Sequence, residues 1–317
     1  MKTFIKYSFL MAFSFAAFAN NLNAQQEQMY SHYDYNSLAI NPAYAGSKRT
    51  LVANSLYRKQ WVSLPGAPTY YNLGVHAPVI GDFAAGLNIQ TGEIGKFVKA
   101  SAISETQIAA SIAYNKKISK DFRLAVGLRL GMYNYNFSLS KLQLGTPTDV
   151  VFNNNDYNFN APMAGFGAYL YSEKYFVGVS APRMVFVQDE QKNNTSIQYA
   201  AMTQYYLTAG MVVDVTDNVK LKPTTQIKVA NGGMPIQADI NLHAIYKDNY
   251  SIGAFYRTEG DIGIMAMAQV SPSFSIVYSY DSKLNPLNTY IQGSHEFGIQ
   301  YMLPYVSNNR IRVPRYF

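Results

Sequence analysis

The chain has 317 residues, of which 48% are hydrophobic and 15% aromatic; only 14% are charged, and the formal net charge is +7. Soluble proteins of this size carry about a quarter charged residues, so an ordinary soluble globule fits badly. The absence of cysteine excludes a structural disulfide, a thiolate metal site and a lipid-anchored N-terminal cysteine.

The first segment reads as an address. Lys2 and Lys6 precede a short apolar core, Tyr7 to Ala19, and Leu22-Asn23-Ala24 before Gln25 has the form of a cleavage site. An apolar run of that length falls short of the about 20 residues that a spanning helix needs. Residues 1–24 are therefore expected to be a removed signal peptide, with the mature chain starting at Gln25. No later run is long and apolar enough for a membrane helix, which leaves a soluble exported protein or a closed barrel.

Residues 25–49 are polar and rich in tyrosine, with Tyr30, Tyr33, Tyr35 and Tyr44, and the turn Asn41-Pro42-Ala43-Tyr44-Ala45-Gly46 punctuates them. We expect a periplasmic, plug-like segment there. Alternation of period two then begins and continues to Leu303. The clearest case is Met234 to Lys247, where Gln237, Asp239, Asn241 and His243 alternate with Ile236, Ala238, Ile240, Leu242 and Ala244. Only an extended strand sends successive side chains to opposite faces in this way.

The pattern predicts about fourteen strands over residues 50–303, among them Asp82–Gln90, Asp121–Phe137, Ala161–Tyr171, Met202–Val213 and Asn218–Ala230. The fifth alternates Leu124, Val126, Leu128, Leu130 and Met132 with Arg123, Ala125, Gly127, Arg129 and Gly131; the ninth places Lys220, Lys222 and Lys228 on one phase. A lysine facing lipid near the midplane costs roughly 2 to 4 kcal/mol, so these cations are assigned to the lumen with Gln237, Asp239, Asn241 and His243. Loop lengths give a second test. Connections after even-numbered strands are all short, whereas the long ones, Gln90 to Ile103, Ser138 to Asn160, Gln188 to Ala201 and Asp281 to Gln292, follow odd-numbered strands. Outer-membrane barrels sort their loops in this manner, and a soluble sandwich has no reason to. The expected fold is all-β, a transmembrane antiparallel barrel of about fourteen strands with both termini periplasmic. The tail, residues 304–317, is basic and contains proline; it either hangs loose or lies across the barrel mouth or on a periplasmic partner.

Catalytic and metal chemistry find little support. His32, His76, His243 and His295 have no metal-ligand spacing. In Ser294-His295-Glu296 the serine and histidine leave a strand on opposite faces and cannot pair. Gly178-Val179-Ser180-Ala181-Pro182 ends in proline with no helix after it, unlike a nucleophile elbow. Asn153-Asn154-Asn155-Asp156 lacks the acidic alternation and glycine of a calcium loop. The lysines are spread along strands and loops, so nucleic acid is not an expected partner. We expect no cofactor, no metal and no enzyme activity.

In order along the chain come Gln28-Met29-Tyr30-Ser31-His32-Tyr33, Ile40 to Gly46, Tyr57-Arg58-Lys59-Gln60-Trp61, Pro65-Gly66-Ala67-Pro68, Gln237-Ala238-Asp239-Ile240-Asn241, Tyr256-Arg257, Tyr278-Ser279-Tyr280-Asp281 and Gly293-Ser294-His295-Glu296. Each is weak alone, but the ordered set resembles the landmarks of the PorP/SprF family. The resemblance implies an outer-membrane protein of the type IX secretion and gliding-motility apparatus of Bacteroidetes, with a barrel similar to long-chain fatty acid transporters. It also implies partners: secreted surface adhesins or other cargo with a type B C-terminal signal, a periplasmic ring, and a peptidoglycan-binding lipoprotein, beside outer-membrane lipid. Tyr57, Arg58, Trp61 and Pro65 cluster at the first outward loop and are of types enriched at binding hot spots, while a lone tryptophan also suits the aromatic belt. The alternative function is a channel for small hydrophobic or anionic solutes, lined by Arg123, Arg129 and the three lysines.

Overall fold

Strands of period two bury their backbone polar groups only by pairing sideways, and in lipid they must do so without leaving an edge. In the computed structural model of the protein they do. The structure describes residues 29–96, 101–138, 156–187, 202–231, 235–303, 305–307, 310–312 and 316. Residues 1–24, Gln25, Asn153 to Asn155 and Met234, on which some of the expectations above fall, lie outside them.

The strands are β1 (Val52–Lys59), β2 (Thr69–Ile80), β3 (Phe83–Ile94), β4 (Ile103–Lys117), β5 (Arg123–Phe137), β6 (Tyr157–Tyr171), β7 (Tyr175–Val185), β8 (Gln204–Met211), β9 (Val213–Asp214), β10 (Val219–Ala230), β11 (Gln237–Tyr246), β12 (Tyr250–Arg257), β13 (Asp261–Ser271), β14 (Phe274–Lys283) and β15 (Ser294–Met302). Every pairing among them is antiparallel, and β1 pairs with both β2 and β15 while β11 pairs with both β12 and β10, so the sheet closes. β8 and β9 are one stave interrupted at Val212, which makes the cylinder fourteen-stranded. A short hairpin, β16 (Tyr305–Ser307) with β17 (Arg310–Arg312), follows the barrel.

The two faces separate as the alternation requires. Leu124, Val126, Leu128 and Leu130 are 39%, 51%, 69% and 70% exposed on the outer wall, whereas Ala125 and Arg129 are 0% and 2% exposed inside. Exposed Phe83, Tyr114, Tyr175, Tyr246 and Tyr301 ring one end of the wall, and Tyr57, Tyr71, Tyr205, Tyr256 and Phe297 ring the other. An apolar band between two aromatic girdles is the outer surface of a barrel that sits in a membrane.

Connections 81–82, 118–122, 172–174, 215–218, 247–249 and 272–273 define a short-turn end. At the other, long-loop end run 60–68, 95–102, 138–156, 186–203 and 284–293, together with two brief connections, 231–236 and 258–260.

Most strand limits differ from the sequence expectation by a few residues, and three departures stand out. β3 continues to Ile94, past Gln90, still paired with β4 up to Ile94↔Ile103. β6 begins at Tyr157 instead of Ala161, because Asn158 and Asn160, poor strand formers alone, accept hydrogen bonds from Asn134 Nδ2 at 3.3 and 2.8 Å in a cross-strand amide ladder. The eighth stave breaks at Val212, which is 2% exposed and packs inward. Pro223 lies opposite this break, between Leu221↔Val213 and Thr224↔Gly210, and has no N–H to give the ladder.

Candidate functional site

A lumen lined by alternating polar residues would hold water in an open porin. Here residues 29–47 occupy it, with one helical turn, Ser37–Ile40, and a 3-10 turn, Pro42–Tyr44. The segment starts beside Lys228, Gln237 and Asp239 near the long-loop end and descends to Gly46, whose N–H donates to His76 Nδ1 at 3.1 Å near the short-turn end. Its first described residues thus lie at the level of the long loops.

Wall residues hold the plug at every level. At the top, the Ser31 and His32 N–H groups donate to the two oxygens of Glu296 at 2.8 and 2.9 Å, and His32 Nδ1 lies 2.9 Å from Oε1. Glu296 is 0% exposed. Arg58 lies beside it, with Nη1 2.7 Å from Asp281 Oδ2, 3.5 Å from Glu296 Oε2 and 3.2 Å from Ser31 Oγ. Tyr33 donates to Thr224 Oγ1 at 2.9 Å, Lys222 Nζ meets Asp34 Oδ2 at 2.7 Å, and Asn54 donates to Asn36 Oδ1 at 2.9 Å. Buried charges survive only when paired and hydrogen-bonded. Burial alone would raise the Asp34 carboxyl, but Lys222 overrides it and holds the group well below the usual carboxylate range.

Lower down, the contacts are to main chain. Arg129 donates through Nη1 to the Ala39 carbonyl at 2.8 Å, through Nη2 to the Leu38 carbonyl, and through Nε to Ser111 Oγ at 3.1 Å. Ser180 donates to the Ile40 carbonyl at 2.5 Å, Asn41 Nδ2 to the Ala168 carbonyl at 3.0 Å, and Asn115 Nδ2 to the Ala45 carbonyl at 3.0 Å. Close approach is possible because two inward positions lack a side chain. A Cβ on Gly127 would stand 2.4 Å from Ala43 N, and one on Gly167 2.2 Å from Asn41 Oδ1. Tyr44 wedges between His76 and Tyr169, with ring centres at 5.3 and 5.5 Å. Beyond the plug, Lys48 is buried; burial and the nearby Lys222 pull its ammonium down to about 7.

The expected lumenal residues face inward or line the mouths, but several are already committed. Lys220 meets Asp248 at 2.5 Å, Lys222 meets Asp34, and Arg123 donates to the Asn115 carbonyl at 2.9 Å near Asp82. Asp239 accepts from Arg257 Nε at 3.0 Å, Asn241 donates to the Ser31 carbonyl at 3.4 Å, and His243 Nδ1 lies 3.1 Å from Ser251 Oγ. Lys228 and Gln237 border a void of about 20 Å³ beside Tyr30, and an adjoining one near Arg183 and Gln204 holds about 40 Å³. Each has room for a few waters.

Of the four residues expected at a partner-binding rim, one is elsewhere. Arg58 is 1% exposed inside the barrel, because it shares the inward phase with Val52, Asn54 and Leu56. Tyr57, on the opposite phase, is 39% exposed with its ring 5.0 Å from Tyr71 in the long-loop girdle. Trp61 and Pro65 do lie in the 60–68 loop; Trp61 is half-buried with φ 46°, and Pro65 is exposed. The loop is tied down by Val62 N–H to the Gly293 carbonyl at 2.8 Å and Gly95 N–H to the Gly66 carbonyl at 2.7 Å. Ser294 is buried inside while His295 faces outward, with Nδ1 2.7 Å from Tyr278 Oη, so the two do not meet. Among the described residues no group of histidine and carboxylate side chains is arranged to hold a metal.

Glu296, Asp281, Arg257 and Asp261 form most of the buried charge network among the described residues, yet none of them stood out from the sequence as a site residue. Their signal was available: each is a charge on the inward phase of a membrane strand, where a partner is obligatory.

The sequence matches, over residues 22–301, the family described as type IX secretion system membrane protein PorP/SprF. No curated protein matches it. Among solved structures it is similar to the P. putida toluene transporter TodX, with a TM-score of 0.48 and 9% identity over 86% of this chain and 95% of that one. It is also similar to a Pseudomonas aeruginosa FadL homologue, at 0.45 and 11% over 85% and 93%, and to the Acinetobacter baumannii outer membrane protein Omp33, at 0.47 and 6% over 81% and 100%. With a family match that takes in nearly the whole chain, the protein belongs to the PorP/SprF family of type IX secretion system membrane proteins.

Proposed function

We propose that this outer-membrane component of type IX secretion works without catalysis, as a docking scaffold. In this reading its long-loop end holds secreted surface proteins, such as adhesins with a type B C-terminal signal, and its short-turn end contacts the periplasmic ring and a peptidoglycan-binding lipoprotein. The observation that carries the reading is the filled lumen. Of the cations that would draw an anionic solute, Arg123, Arg129, Lys220 and Lys222 are committed to carboxylates and main-chain carbonyls, and the plug is bonded to wall strands around the cylinder. A barrel closed in this way contributes its surfaces rather than a conduit.

Trp61 and Pro65 stand on an anchored loop at the expected outer end, where a rigid aromatic loses little entropy on binding a partner. Arg58 is left out of the docking surface, since its role is inside. The test has two arms. Purified full-length protein in planar bilayers should be electrically silent, and Trp61→Ala with Pro65→Ala should reduce cargo on the cell surface while the barrel assembles normally. Stable open conductance would favour the solute channel, and unchanged cargo display in the double variant would remove the loop from the docking surface.

A further inference from the structure

The short-turn mouth holds an arrangement that a docking scaffold does not require. Tyr316 packs against the cluster of Leu38, Tyr44 and Tyr171. Its phenol donates to Asp248 Oδ1 at 2.5 Å, in the turn between β11 and β12. The same carboxylate oxygen meets Lys220 Nζ at 2.5 Å, and that ammonium stands 5.4 Å from the centre of the Tyr316 ring. Lys222, two residues on and on the same face of β10, donates to the Tyr316 carbonyl at 3.3 Å. Three side chains of the wall thus read the hydroxyl, the ring and the main chain of a single tyrosine. Tyr316 has φ 60°, a left-handed conformation that an aromatic residue keeps only when its surroundings over-determine it.

Lys222 has a second duty, because its Nζ also lies 2.7 Å from Asp34 Oδ2 in the plug. One ammonium therefore joins the end of the chain to the segment that fills the lumen. We propose that Asp248, Lys220 and Lys222 form a socket for a peptide tyrosine, filled in cis by Tyr316, and that the seated tyrosine clamps the plug through Lys222. The occupant is the chain's own tail. β15 delivers the chain to this end at Met302, and the β16–β17 hairpin takes up part of the length before Tyr316. Any other chain offering a tyrosine with a free carbonyl would compete for the same three groups.

The chain has no cysteine, so Ser47→Cys, 5% exposed where the plug leaves the lumen, gives a unique probe for a water-soluble maleimide. Labelling of a buried thiol follows local opening, and in the full-length protein Tyr316→Ala should speed it by about tenfold. Tyr316→Phe, which keeps the ring and loses the bond to Asp248, should fall between. A synthetic peptide of residues 305–317 added to the Tyr316→Ala protein should slow labelling again, and the same peptide with alanine in place of the tyrosine should not. Retention of the heat-modifiable band on gels verifies that each variant is folded. Equal labelling rates for tyrosine, phenylalanine and alanine at position 316, with no effect of the peptide, would overturn the socket. Cargo display plays no part in this readout, so the docking reading stands or falls separately.

Discussion

Residues 31–36 and residues 37–46 lie end to end in one lumen but meet walls of opposite character. The first stretch faces β1, β10, β11, β14 and β15 and is held largely by charged and polar wall side chains, with Glu296 taking the Ser31 and His32 N–H groups and Arg58, Thr224, Lys222 and Asn54 meeting plug side chains. The second faces β2 to β7 and is held mainly by its own carbonyls and by shape, with Ala43 seated over Gly127 and Gly46 against Ala84. Charged contacts tolerate small displacements as long as the partners remain, since Coulomb energy changes slowly with distance. Close-packed contacts do not, since a few tenths of an ångström decide them. The lower stretch therefore fixes where the plug sits, and the upper one fixes how firmly its upper end is held.

The largest effect expected from this contrast comes from Gly127→Val. The new Cβ would meet Ala43 N at 2.4 Å and Ala43 Cα at 2.6 Å, both backbone atoms that cannot swing aside. Overpacking of a tight site costs about 1–3 kcal/mol or more, and here the plug is the part that can yield. Ionic conductance in planar bilayers should appear in a protein that still shows the heat-modifiable band. A folded, silent Gly127→Val barrel would mean that shape does not set the position of the plug.

Next comes Glu296→Gln, which leaves Arg58 with one carboxylate and weakens acceptance from the Ser31 and His32 N–H groups. Breaking a buried pair from one side costs about 3–5 kcal/mol when nothing replaces it, but the amide oxygen retains much of the bonding and Arg58 keeps Asp281, so the loss here should stay below that of Gly127→Val. The temperature at which the folded band is lost should fall, and Arg58→Met with Glu296→Gln together should lose less than the sum of the single changes. Strict additivity would show that the upper stretch is not a coupled charge network. A thiol introduced at His32 should become reactive in Glu296→Gln while one at Ser47 stays protected.

The same contrast explains what could be read from the sequence. Strand existence and the inward phase were legible at Leu124 to Met132 and at Gln237 to His243, because a wall between lipid and a polar interior forces strict alternation. Strand ends were less legible where amides extended the wall, as at Asn158 and Asn160, or where Pro223 broke a ladder. Arg58 was misplaced because its neighbours Tyr57 and Trp61 are of binding types; its own phase, shared with Asn54 and Leu56, pointed inward. The partners of the lumenal charges were not legible, since Arg58 and Glu296 are brought together only by the closure of β1 on β15. The role of Gly127 and Gly167 was hidden for the same reason, as what they make room for lies more than eighty positions away in the chain.

The smallest effect separates the two stretches by pH. Lys48 follows the close-packed stretch, is 7% exposed, and has its ammonium pulled from 10.5 to about 7 by burial and by Lys222, with Asp34 opposing. A lysine whose folded value is depressed binds fewer protons when folded than when unfolded, between about 7 and 10.5. Stability gained on raising the pH follows the excess of protons on the unfolded chain. This residue therefore penalises folding fully below pH 7, and the penalty fades as the pH rises towards 10.5. Lys48→Met should raise the temperature of band loss most near pH 6 and hardly at all near pH 11.5, each about a pH step outside that window. A difference that stays constant with pH would show that the ammonium is solvated in the folded protein, and the mouth of the lumen would then be wetter than its packing implies.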